Sequence, residues 1–126
     1  MFSTALIRHI LRDEAVTRGL GDVEARMIVE WLVARAEQIG GNAPSEAVAW
    51  AMMRTALRRA RAIAHFVRLW TDPNSRGAAT QLAGAERFQW PLPSYDIEPG
   101  QLMLAILTWT DQQDEIVASS NARRAA

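Results

Sequence analysis

A chain of 126 residues with an apolar share of 49% is long enough to bury its own core and suits one domain. Its 14 basic residues, all arginine, balance 14 acidic ones, so no overall charge draws it to nucleic acid or an anionic membrane. Cysteine is absent, which excludes disulfide frameworks, thiolate metal sites and cysteine catalysis.

The N-terminal MFSTALIRHILRDE carries acids and lacks a cleavage-like segment, so a secretory signal is not expected. No apolar run approaches the ~18 residues needed to span a bilayer, and a cytoplasmic location is the expectation. Ser3 or Thr4 can cap a first helix running to about Arg18, with Leu6, Ile7, Ile10 and Leu11 on its apolar side. Gly19-Leu20-Gly21 ends it, glycine supplying the left-handed cap. Asp22 is expected to cap a second helix, Val23 to Ile39, with Glu24 in a first turn where the helix dipole favours acid. This helix has two apolar arcs, one of Ile28, Val29, Leu32, Val33, Ala36 and Ile39, the other of Val23, Met27, Trp31 and Ala34. A helix apolar on two sides is buried between neighbours. Gly40-Gly41 is read as its end, and Pro44-Ser45 as the start of the next.

The stretch from Ser45 to Asp72 organises the chain. It is rich in good helix formers and free of internal glycine and proline. Stepping about 100° per residue places Ala49, Met53, Ala56, Ala60, Ile63, Ala64 and Val67 on one stripe. Met52, Leu57, Phe66 and Trp70 widen it, and the alanines allow another helix to approach closely. On the opposite side Arg54, Arg58, Arg61, His65 and Arg68 share an arc of about 80°, with Arg59 apart, flanking the apolar arc. No acid occurs between Glu46 and Asp72. The bland reading pairs these arginines with Glu30, Glu37, Asp111, Asp114 or Glu115 on neighbouring helices. The sharper reading is a binding stripe for an acidic partner or nucleic acid.

Asp72 to Gly77 reads as a turn or loop. A weaker helix, Ala78 to Arg87, is interrupted by Gly84. Two prolines keep Phe88-Gln89-Trp90-Pro91-Leu92-Pro93-Ser94-Tyr95 out of regular helix and favour an extended loop. Pro99 suits the first position of a last helix, Gly100 to about Val117, apolar in its first half and acidic in its second. Residues 119–126 lack apolar anchors and are expected to fray. The fold expectation is an all-α, single-domain bundle of four main helices plus one short helix. The domain covers residues 1–118, and the second, third and last helices form its centre.

Catalytic patterns are lacking. There is no G-x-S-x-G, no P-loop and no dinucleotide-binding glycine pattern. His9 and Asp13 share a helix face, but two ligands make a poor metal site, and Glu-x-x-His pairs are missing. No cofactor is expected. Core packing is the default for most of the five tryptophans, while Trp90 lies in the proline-rich loop and is a candidate interface anchor. The leading expectation is a non-enzymatic protein-interaction or self-association module. Its candidate surface comprises Arg54, Arg58, Arg61, His65, Arg68, Trp90 and Tyr95. The alternative is a nucleic-acid-binding accessory protein using the arginine stripe; an enzyme ranks third.

Overall fold

The computed structural model describes residues 4–13, 16–84 and 97–125, all helix, turn or short connection. The helices are α1 (Thr4–Asp13), α2 (Asp22–Asn42), α3 (Glu46–Thr71), α4 (Arg76–Gly84) and α5 (Pro99–Ala125), with a 3-10 turn at Pro73–Ser75. The protein is an all-α single-domain bundle. The segment from Phe88 to Tyr95, with Trp90 and Tyr95, lies outside the described residues.

Helix α3 forms as its sequence dictates. The Ser45 hydroxyl accepts from the Val48 N–H at 3.2 Å, satisfying a donor that the first turn leaves open. After twenty-six helical residues Asp72 turns extended, φ −98° and ψ 113°, as the residue before Pro73 must. The Asp72 carboxylate then accepts from the Asn74 N–H at 3.1 Å and the Ser75 hydroxyl at 2.8 Å, which shapes the 3-10 turn and leads straight into α4. The expected loop to Gly77 is therefore shorter, and α4 begins at Arg76.

Other boundaries differ from expectation. Helix α1 does not run on to Arg18: residues 16–18 already form turn and bend. The Thr17 hydroxyl donates back to the Leu11 carbonyl at 3.4 Å, Val16 is fully buried, and Gly19 takes the left-handed φ of 81° that glycine adopts without strain. Asp22 does not cap α2: Gly21 is the cap residue, with no side-chain bond, and Asp22 joins Glu24 inside the first turn. Gly40 and Gly41 do not end α2 either. Each costs a helix only about 1 kcal/mol, whereas Pro44 forces Ala43 extended, with ψ at 136°, and that is where α2 terminates. The Asn42 side chain donates to the Gln38 carbonyl at 2.9 Å over this last turn. At the other end of the chain, α5 continues past Val117 to Ala125.

Helices α2, α3 and α5 contact one another pairwise, α1 packs on α2, and α4 packs on α3. Gly100 lies beside Val23 at the start of both helices, and Asp111 meets Trp31 further along, so α2 and α5 run parallel. Helix α3 runs against α2, since its late residue Arg68 packs on Gly19 while Met52 and Thr55 face Ile39 and Asn42. The apolar stripe of α3 is buried throughout: Ala49, Met53, Ala56, Ala60, Ile63, Ala64 and Val67 belong to the core, with Phe66 stacked on Trp70 at 5.6 Å between ring centroids. From α2 come Ile28, Trp31, Leu32, Val33, Ala36 and Ile39, and from α5 Leu102, Met103, Ile106 and Leu107. The widest edges of the expected apolar arcs stay in water: Val23, Met52 and Leu104 are exposed. Helix α2 lies between neighbours, in contact with α1, α3 and α5, as its two apolar arcs suggest, whereas the first half of α5, apolar all round in sequence, leaves Leu104 exposed.

Candidate interaction face

The arginines of α3 fall into three groups. Arg59 flanks the apolar arc, so it stands at the seam with the neighbouring helices. Its Nη1 donates to both Asp114 oxygens, at 3.0 and 2.8 Å. Asp114 also receives Arg35 of α2, at 2.6 Å. Arg35 reaches Asp111 at 2.5 Å and lies over the Trp31 ring, 4.7 Å from its centroid, while the Trp31 indole N–H donates to Asp111 at 3.0 Å. Burial works against the Arg35 charge, but the hydrogen bonds to Asp111 and Asp114 outweigh it and raise its pKa above the ordinary value. One charged network thus pins α2, α3 and α5 together.

Arg68 forms the second group. Its stem packs against Gly19, and its guanidinium donates to the Arg18 carbonyl. Partial burial lowers its pKa. Arg68 therefore braces the turn between α1 and α2, and it leaves the stripe to which helical stepping assigned it.

The third group faces outward. Arg54, Arg58, Arg61 and His65 are all exposed along α3, and Arg58 donates to the Thr55 hydroxyl at 3.4 Å. Three of the predicted acids, Glu30, Asp111 and Asp114, are paired internally, by Arg8, Arg35 and Arg59. Glu30 is held by Arg8, in a two-pronged pair whose second contact is 3.0 Å, and Asp111 and Asp114 are held by Arg35 and Arg59. Glu37 and Glu115 are exposed. Arg35 and Arg59 reach Asp114 because they stand at the seam where it lies.

Trp50, one turn before Arg54, is 41% exposed and lies within about 40° of Arg54 on the helix wheel. Default core packing concealed it in the sequence, although the same stepping that grouped the arginines places it with them. From Trp50 to His65 the face extends roughly 22 Å at the helical rise. It combines an indole with planar guanidinium forks, which suits carboxylate or phosphate oxygens.

Surface hollows lie elsewhere. One of about 470 Å³ is lined by Trp31, Arg35, Met52, Thr55, Arg59 and Asp114, where both arginines pair with Asp114. Another of about 550 Å³ lies beside Arg8, Asp22, Arg26 and Glu30. Among the described residues no group of three or more His, Cys, Asp or Glu is placed to hold a metal ion, and no helix is long and apolar enough to cross a membrane. Comparison of the chain with protein-family models, with curated proteins and with solved structures returned no match.

Proposed function

We propose that this chain is a non-enzymatic interaction module that docks an acidic protein surface on the outward side of α3. The observation that supports this reading best is the exposure of Arg54, Arg58, Arg61 and His65 along one side of α3, beside the exposed Trp50. Arginine and tryptophan are the residue types that dominate binding energy at interfaces. The whole chain is neutral, so attraction would be local to this face and not a general affinity for polyanions. Aromatic stacking beside arginine also serves single-stranded nucleic acid, but these side chains stand on one helix and not in a groove that tracks a backbone.

Capture on the immobilised protein tests the reading, with the doubly reversed R54E/R58E chain as control. Acidic proteins should be retained by the wild type and lost from the variant. Light scattering of the pure chain reports whether the partner is a second copy. Retention of nucleic acid alone, falling steeply as salt rises, would instead support a nucleic-acid accessory role.

A further inference from the structure

We infer that the hollow between the end of α2, the first half of α3 and Asp114 of α5 binds a small monocarboxylate with an aromatic or other apolar body. Its volume of about 470 Å³ lies in the range of pockets that take small organic ligands. Its lining divides by chemistry. Trp31, Ile39 and Ala56 are buried and form an apolar floor, while Met52, 43% exposed, stands at the rim. A methionine there adapts its shape to what it covers. Val48, one turn earlier on the same side of α3, is exposed as well and extends the apolar edge.

Arg59 identifies the acid end of the ligand. Its guanidinium lines the hollow and meets Asp114 through Nη1 alone. Asp114 is shared with Arg35, which holds Asp111 as well. The Nε and Nη2 groups of Arg59 make no hydrogen bond among the described residues, and its side chain is 39% exposed. Those two groups form an edge of the planar fork that takes both oxygens of a carboxylate. The bonds to Asp114 already hold Arg59 in place, so little side-chain freedom is lost when a second carboxylate arrives. From α2, Gln38 and Asn42 also line the hollow; Asn42 Nδ2 donates to the Gln38 carbonyl, which leaves its Oδ1 open to a hydroxyl on the ligand. The charged network around Trp31 ties the three helices that carry these groups, so the site is formed before the ligand enters.

Two-dimensional NMR on nitrogen-labelled protein tests the site, read at the Trp31 indole N–H and the Gln38 and Asn42 side-chain amides, with the Trp70 indole as internal reference. The probes are phenylacetate, its neutral analogue phenylacetamide, its cationic analogue phenethylamine, and acetate for the carboxylate alone. Phenylacetate should shift the three groups saturably with a Kd of about 1 mM or lower, at least about tenfold tighter than the other probes. Arg59→Lys keeps a charge beside Asp114 but lacks the fork, and it should weaken binding at least about tenfold. Met52→Glu sets a like charge at the rim and should weaken binding by a similar factor, with unchanged circular dichroism. Arg54→Glu, on the far side of α3, should leave binding within about twofold at physiological salt. Equal binding of phenylacetamide or phenethylamine overturns the acid assignment. Binding indifferent to both R59K and M52E, or no saturable shift with any probe, overturns the site. If a short peptide ending in phenylalanine binds more tightly than phenylacetate while its C-terminal amide does not bind, the occupant is a chain terminus and the small-molecule assignment is overturned. Each of these outcomes leaves the reading of the outward side of α3 as it stands.

Discussion

Ala60 has no exposed surface and sits midway along the buried stripe of α3. Leucine there adds three carbons where packing leaves no space, so Ala60→Leu should cost about 1–3 kcal/mol in urea unfolding. An unchanged midpoint would contradict the placement. A second residue-scale expectation concerns acid. Hydrogen bonding to Arg8 holds the Glu30 pKa below its ordinary value, against the opposing effect of burial. The unfolded chain binds this proton more readily, so the pair's stabilisation is present above the ordinary glutamate range and is lost as pH falls through the folded pKa. The wild type should therefore exceed Glu30→Gln in stability near neutral pH by a small margin that vanishes on acidification and shrinks with added salt. A margin independent of pH would show that the ion pair is not its origin.

At the scale of elements, the end of α2 makes the sharpest prediction. Gly41 lies in helical backbone, and a Cβ added there meets nothing within 4 Å. Gly41→Ala should stabilise the protein by about 0.4–1 kcal/mol, read from thermal or urea unfolding, by reducing the freedom of the unfolded chain. Destabilisation would place the helix end before Gly41. This boundary illustrates how much of the fold was legible. Helix α3 could be read because Ser45 caps it, Pro73 stops it and its apolar stripe has an unbroken helical period. The ends of α1 and α2 could not be read from glycine alone. In α2 the proline after Ala43 sets the end, and at α1 the Thr17 side chain competes for a helix carbonyl. The candidate face was legible in part. Stepping along α3 found Arg54, Arg58, Arg61 and His65, but Arg68 turns to a carbonyl fifty residues earlier in the chain, which no local pattern reports. Trp50 was missed because composition favours burying tryptophan, and only the packing of three helices shows which side of α3 stays uncovered.

Across the whole molecule, a neutral chain keeps two separate populations of charge. One is internal: Arg35, Arg59, Asp111 and Asp114 join three helices around Trp31. The other is the outward side of α3, where Arg54, Arg58, Arg61 and His65 are exposed. Urea unfolding of three single variants tests this division most directly. Arg59→Ala leaves Asp114 with one partner fewer at a partly covered seam and should cost about 1–2 kcal/mol, between an exposed and a buried ion pair. Arg54→Ala and Arg58→Ala should stay within about 0.5 kcal/mol of the wild type, as exposed side chains do. A loss at Arg54 or Arg58 as large as that at Arg59 would mean that these arginines hold the bundle together, and the outward face would not be a surface kept for a partner.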